Sequence, residues 1–295
     1  MKNLPISAAA AIFAAALLIA LCPAAMAGND PFADLKTRLT DSGLSAELVI
    51  DAFSPAPQAD FKAVARTMAI RESKLDYGQF LQPGPIADAH AFLEKYQTYF
   101  NSAEAIHEVD RHVIAAILLV ETQLGVYTGK TGTLSALATF AIMDKAKNRD
   151  EVWKRLSKPD RERWTRERFD AKLEKRAEWA WVEIINLFHI DEITAAGIKG
   201  MKGSVMGAVG WPQFLPSSIN KHAADGGGDG QIDLYTPADA IHSVANYLKN
   251  YGWKNDLSRE EKEKVIWEYN HSTPYVNTIL DAADKLKELE GKKEG

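Results

Sequence analysis

The chain has 295 residues, 46% of them hydrophobic, a single cysteine and a formal net charge of −5 at pH 7. That length can bury a sizeable core, and one cysteine excludes a disulfide framework as the source of stability. A mildly acidic chain has no general attraction for nucleic acid.

The chain opens on MKNLP, an apolar run ISAAAAIFAAALLIALC, and PAAMA with small residues at Ala25 and Ala27. This is the pattern of a secretory signal peptide over residues 1–27, cut between Ala27 and Gly28, which sends the mature chain to the periplasm. The run is short for a retained membrane span. Lipid anchoring at Cys22 is the other reading, but Leu21 before it is not the small residue such a site calls for. Beyond the leader no stretch is long and apolar enough to cross a bilayer, and no cysteine remains.

Residues 30–125 read as helices with polar breaks. PFADLKTRLTDSG closes on Gly43, LSAELVIDAF stops before Pro55 and Pro57, and FLQPGPIADAHAFLEKYQTYF restarts after QPGP. The histidines of HEVDRH (107–112) are five apart and so point to different sides, unlike the pair of a zinc-binding HExxH helix. DRHVIAAILLVETQLG (110–125) then carries Glu121 near the end of an apolar helix. Its neighbours one turn away are Ile117, Leu118, Leu124 and Gly125, so no Lys or Arg stands there to pair with it. Either Glu121 reaches water at the helix edge, or an acid is held in apolar surroundings. In the second case lost solvation raises its pKa, and it can protonate a leaving group near neutral pH, as a glycosidic oxygen requires.

GVYTGKTGT (125–133) is a glycine-rich loop without P-loop spacing, and LSALATFAIM returns to helix. No GxSxG elbow occurs, and a thiol mechanism has no mature cysteine to use. Residues 144–179 are densely charged with widely spaced Trp153, Trp164 and Trp179, and read as a solvated helical hairpin broken near Pro159. Contact with an anionic polymer is the alternative, weakened by the interleaved Asp and Glu. WAWVEIINLFHI reads as a buried helix. Its glycines, with Pro212 and Pro216, put GIKGMKGSVMGAVGWPQFLPSS (197–218) outside regular helix, where backbones approach closely. Ser217 and Ser218 are placed to cap a helix over INKHAA.

DGGGDGQIDLYTPAD (225–239) resembles an EF-hand calcium loop. Asp225 takes the first position, Asp229 the fifth, Gly230 the sharp turn, the Gln231 carbonyl the seventh and Asp233 the ninth. Gly227 offers no oxygen at the third, and Thr236 stands where a glutamate belongs; Asp239 can supply that carboxylate if the loop is longer than usual. An acidic turn without metal is the other reading. TPADAIHSVANYLKNYGW and REEKEKVIWEYNHSTPYVNTILDAADKLKELE are helical, and the terminal GKKEG is expected to fray.

Three separated stretches, VETQLGVYTGKTGTLSALATFA, GSVMGAVGWPQFLPSSINKHAADGGGDGQIDLYTPADAIHSVANYLKNYGW and WEYNHSTPYVNTIL, together resemble the lytic murein transglycosylase B family, glycoside hydrolase family 103. The resemblance runs through most of the mature chain, 28–295. It implies a mainly α, lysozyme-like core (α+β with very little strand) over about 105–295, a flanking helical lobe before it and an EF-hand-like loop at 225–239. The charged segment 144–173 departs from the family pattern as a helical insertion. The resemblance further implies that Glu121 is the single catalytic acid/base, that Ser204 and Gln213 hold the sugar, and that Tyr269, Asn270 and Tyr275 line the cleft. Calcium at Asp225, Asp229, Gln231, Asp233 and Asp239 would be structural, with no cofactor needed for the chemistry. The implied partner is the peptidoglycan glycan strand. A hydrolytic muramidase and a non-catalytic wall-binding scaffold are the competing functions.

Overall fold

The structure is a computed structural model and describes residues 30–71 and 75–294; the expected leader and Cys22 lie outside them. Helix dominates, as expected for a lysozyme-like fold. The sheet is a single two-stranded pair, β1 (Thr131–Gly132) antiparallel to β2 (Lys202–Gly203).

Local sequence explains where the helices begin. The N-terminal helices are α1 (Ala33–Asp41), α2 (Ala46–Ala52) and α3 (Phe61–Ala69), the latter two capped by Ser45 and Asp60 side chains. The helix α4 (Pro83–Lys95) starts inside the QPGP motif rather than after it, because proline at the first position lacks only an N–H that a helix start leaves unbonded anyway. Then come α5 (Gln97–His107) and α6 (Arg111–Thr122), whose N-cap Asp110 accepts the His112 N–H. After β1 follow α7 (Thr133–Ala141), α8 (Ala146–Arg155) and the short α9 (Lys158–Arg161).

The expected separate helix at WAWVEIINLFHI is instead the second half of one 23-residue helix, α10 (Arg166–Phe188). Its periodicity continues across the charged stretch, so Phe169, Leu173, Ala177, Ala180, Ile184 and Leu187 share one buried side. Gly197–Gly200, expected outside helix, belongs to α11 (Ala195–Gly200), which Thr194 caps. The helix α12 (Pro216–His222) starts at Pro216, so Ser217 and Ser218 sit in its first turn instead of capping it. The last three helices are α13 (Pro237–Asn250), α14 (Arg259–Tyr269), started by a Ser258/Glu261 capping box, and α15 (Thr273–Glu294). The backbone of α15 stays helical through residues 291–294, where fraying was expected.

Two apolar cores organise these helices. One gathers α4, α5, α6, α13, α14 and α15 around Ile114, Ile117, Leu118, Trp253 and Ile279. The other gathers α1, α2, α3, α7, α8, α10 and α11 around Phe32, Phe140, Phe169 and Leu187. Each fully buried Leu, Ile or Phe contributes roughly 1.5–3 kcal/mol. The chain visits the second core with residues 32–68, the first with 86–119, the second again with 134–198 and the first again with 214–286. The hairpin at 144–173 is packed into the second core, through Val152, Leu156, Phe169 and Leu173. Buried Arg149 donates to the Met143 and Asp144 carbonyls at 2.9 Å and pairs with Asp170 and Glu174.

Candidate active site

The apolar run of α6 fixes the floor of the site. Residues Val113 to Leu119 are all buried, which anchors the helix and leaves its C-terminal turn at the edge of the core. Three consecutive residues there, Gln123, Leu124 and Gly125, have φ of +50°, +62° and +89°. The left-handed run reverses the chain: the Leu124 N–H returns to the Leu118 carbonyl at 2.9 Å, and the Tyr127 N–H to the Thr122 carbonyl at 2.9 Å. A β-carbon on Gly125 would lie 2.2 Å from the Trp211 indole. The Thr122 hydroxyl donates to the Trp211 carbonyl at 3.0 Å and accepts the Gly125 N–H at 3.0 Å. Helix end, turn and Trp211 are thus one unit.

Glu121 sits on that unit, partly buried. Its Oε1 accepts the Tyr275 hydroxyl at 2.7 Å. Burial drives its pKa up to about 7, against the opposing effect of the Tyr275 hydrogen bond. Tyr275 is itself 1% exposed, and burial together with the Glu121 charge pushes its hydroxyl well above the usual tyrosine value. Tyr269 is shifted the same way, first by burial and then by Glu121. Its hydroxyl donates to the Pro212 carbonyl at 2.6 Å and its ring stacks near-parallel on Tyr275, centroids 6.5 Å apart. Tyr77, from the 3-10 turn Tyr77–Leu81, meets Tyr275 edge-on at 6.1 Å. A shielded carboxyl with one neutral donor is equipped to hold a proton at neutral pH and to hand it over.

The remaining expected residues divide by what their polar atoms do. Ser204 Oγ accepts the Met206 and Ala208 N–H groups at 3.2 and 3.1 Å, closing the turn after β2. Gln213, at φ +52°, donates its side-chain amide to the Thr128 and Gly210 carbonyls at 3.2 and 2.8 Å, tying the 125–133 loop to the 204–214 loop. Those loops lie backbone on backbone: a β-carbon on Gly129 would meet the Gly203 carbonyl oxygen at 2.1 Å, and one on Gly203 the Ala208 oxygen at 1.8 Å. Asn270 is the extended residue between α14 and α15, with its carbonyl accepting the Ser272 N–H at 2.7 Å. Ser217, expected as a cap, instead donates its N–H and hydroxyl to buried Glu183 at 2.9 and 2.8 Å, joining α12 to α10.

Two contributors had no signature in the sequence. Tyr77 reaches Tyr275 only through tertiary packing. Tyr247, whose hydroxyl donates to the Glu268 carbonyl at 2.6 Å, backs Tyr269 at 4.7 Å. Thr122, by contrast, is next to Glu121 in the motif, and its capping role was open to a closer reading of that turn.

In the 225–239 loop the acidic side chains accept backbone N–H groups. Asp225 takes those of Gly228 and Gly230 at 2.6 and 2.8 Å, and the Gly230 bond leads in holding its carboxyl below the usual aspartate range. Buried Asp239 takes Gly226, Gly227 and Asp233 at 2.8, 3.2 and 2.7 Å. Asp225 and Asp239 converge beside Gly227, where a β-carbon would lie 3.7 and 3.9 Å from their Oδ1 atoms. Asp229 and Asp233 each accept the N–H two residues on, from Gln231 and Tyr235, at 2.9 Å. The side-chain donors are all oxygens, the set a hard cation takes, and Thr236 caps α13 rather than facing the loop. Among the described residues, no three His, Cys, Asp or Glu side chains converge into a formed metal cluster.

The transglycosylase SLT domain profile matches residues 28–261. The chain is 31% identical over 175 residues to the membrane-bound lytic murein transglycosylase B of Escherichia coli, an alignment covering 59% of this chain and 40% of that protein. The match thus spans well under half the length of that relative. The fold is similar to that of the Escherichia coli lytic transglycosylase SLT35 in complex with calcium, at 22% identity and TM-score 0.67 over 88% of this chain and 94% of that one. It is also similar to SltB3 from Pseudomonas aeruginosa in complex with NAG-anhNAM-pentapeptide, at 20% identity and TM-score 0.65 over 86% and 78%. No helix among the described residues is long and apolar enough to cross a membrane.

Proposed function

The chain belongs to the transglycosylase SLT family, and from that membership we propose that it is a lytic murein transglycosylase. It cleaves the β-1,4 bond between N-acetylmuramic acid and N-acetylglucosamine in peptidoglycan strands. The observation that carries this reading is Glu121, buried to a pKa of about 7 and held by the neutral Tyr275 hydroxyl. Protonated, Glu121 donates to the departing glycosidic oxygen. As carboxylate it takes the proton of the muramic acid C6 hydroxyl, whose oxygen closes on C1. The acid ends as it began, and no water is consumed. The ordinary retaining or inverting hydrolytic scheme uses a second carboxyl group. The sequence sets no second acid in an equally apolar, motif-embedded stretch, which suits the internal hydroxyl as nucleophile. Part-exposed Tyr269 offers a ring edge or face to the sugar, whereas buried Tyr275 acts through its hydroxyl on Glu121. Ser204, Gln213 and Asn270 shape the loops and the helix junction that border it.

The reaction belongs in the periplasm, reached through the leader at 1–27; the family match begins at Gly28, directly after the expected cleavage point. The NAG-anhNAM-pentapeptide bound to SltB3 supports an anhydro-sugar end as the product. Mass spectrometry of muropeptides released from isolated sacculi by residues 28–295 tests the assignment. Products one water lighter than the reducing forms are expected. Reducing products would make the protein a hydrolase, and binding without release would make it a scaffold.

Calcium is the ion for the 225–239 loop. Asp225 and Asp239 are its first ligands, completed by Asp229, Asp233 and the Gln231 carbonyl, and the ion supplies rigidity rather than chemistry. The calcium-bound SLT35 structure supports the choice of ion. Calcium is expected to raise the melting temperature of the parent, whereas Asp229→Ala melts at one temperature with or without it. Identical melting of parent and variant under both conditions would dismiss the site.

A further inference from the structure

The end of α6 opposite Glu121 carries a polar cluster that the chemistry leaves unused. His112 is 8% exposed, and both its ring nitrogens face carboxylates: Nδ1 lies 2.8 Å from Asp110 Oδ1 and Nε2 lies 2.7 Å from Glu290 Oε2. Each ring nitrogen therefore has a carboxylate oxygen within hydrogen-bond distance, one from its own helix start and one from α15. Lys287 pairs with the other Asp110 oxygen. Burial opposes ionisation of Asp110, but its bonds from His112 and Lys287 hold the carboxyl far below the usual range. Around the pair stand Arg111 with Glu104 of α5 at 2.5 Å, and His90 and Glu94 of α4, which share a cleft of about 40 Å³ with Arg111 and Glu290. From the next loop, Asn255 Oδ1 accepts the Asp110 N–H at 2.9 Å and the Trp253 indole N–H at 3.0 Å.

The same two helices therefore meet at two polar ties. One joins Glu121 to Tyr275, the other His112 and Asp110 to Glu290 and Lys287. On α6 the ties are nine residues apart, roughly 14 Å at the helical rise. Both helices bury paired alanines, Ala115 and Ala116 on α6 and Ala282 and Ala283 on α15. The apolar side chains between them fill one core, and the two polar ties add directional contacts that fix one axial register.

We propose that His112 is a positioning residue for the acid: bonded to Asp110 and Glu290, it sets the register of α6 against α15 and so keeps the Tyr275 hydroxyl on Glu121. This rests on Glu121 being the general acid. Tyr275 stabilises the Glu121 carboxylate, so a slip that loosens this bond raises the pH at which Glu121 gives up its proton.

Glu290→Ala is the first test, because that side chain is 47% exposed and its loss spares the apolar core. Turnover on sacculi is expected to fall about tenfold with KM unchanged. The alkaline limb of the pH profile should move upward, as it should in Tyr275→Phe, and the double variant should shift no further than Tyr275→Phe alone. His112→Gln should repeat the pattern. A lower melting temperature with an unmoved pH profile would overturn the proposal and leave the cluster purely structural. Independent, additive shifts would overturn it equally. Should Glu121→Gln retain turnover, the reading of the acid itself fails, an outcome separable from both.

Discussion

Glu121→Gln is expected to abolish release of muropeptides and, at pH 8, to melt several degrees above the parent. Loss of a general acid typically costs 10²- to 10⁴-fold, and here the same group also acts as base, so about 10⁴-fold is the expectation. The second effect follows from the same burial. The carboxyl ordinarily titrates near 4.5 and in the folded protein near 7. A pKa raised on folding contributes its full stability below 4.5, and that contribution is lost as pH rises through 7. Above that range the parent holds a poorly solvated charge, at a cost of about 3 kcal/mol, which the neutral amide avoids. The introduced amide can still accept the Tyr275 hydroxyl through its carbonyl oxygen. Parent and variant should therefore melt together at pH 4 and separate at pH 8, while activity of the parent declines above pH 7 as the acid loses its proton. A variant that clears sacculi at the parent rate removes Glu121 from the chemistry, and equal melting at both pH values would mean its carboxyl is well hydrated.

Gly125→Ala should damage both stability and rate, through geometry alone. At φ +89° an alanine pays the left-handed backbone penalty, about 1–2 kcal/mol. Its methyl group would also stand 2.2–2.6 Å from three carbons of the Trp211 indole. The indole cannot withdraw freely, because its backbone N–H donates to the Leu234 carbonyl at 2.9 Å and its carbonyl holds Thr122. Overpacking adds roughly 1–3 kcal/mol, for a total of about 3 kcal/mol. Moving Trp211 shifts the helix turn that bears Glu121, and misplacement of a reacting group by about 1 Å costs on the order of a hundredfold in rate. Thermal denaturation and turnover measure the two losses. Adding Trp211→Leu should recover much of the stability by clearing the overlap, without restoring the rate. If Gly125→Ala melts with the parent, the indole is not seated as described.

What could be read in advance were features with local causes. Glu121 was conspicuous because a carboxylate ends an apolar helix with no basic partner in reach. The glycines of 197–210 announced close backbones, and Gly129 and Gly203 are pressed against carbonyl oxygens. Helix starts were less legible where two signals competed. Proline at the first position outweighed serine at the second and third in α12, and the serine that looked like a cap became a partner of Glu183. Composition changes along α10 while its apolar period does not, so a break expected from composition has no counterpart in the helix. Tyr77 and Tyr247 could not be found from sequence, since each reaches the site across long stretches of chain.

The alternation of the chain between its two cores has a consequence for how the protein comes to exist. Neither core is encoded by one continuous stretch. The side of the molecule that holds Phe32 waits for Phe169 and Leu187, and the side that holds Ile114 waits for Val244 and Ile279. A chain emerging N-terminus first therefore exposes residues 86–119, with the wholly buried run Val113–Leu119 among them, until residues beyond 214 follow. Unprotected apolar segments of this kind invite aggregation. For the same reason, trimming the chain to the helices around Glu121 would strip Phe32, Val49 and Val64 from the partners they cover, so the two cores stand or fall with nearly all of the described residues.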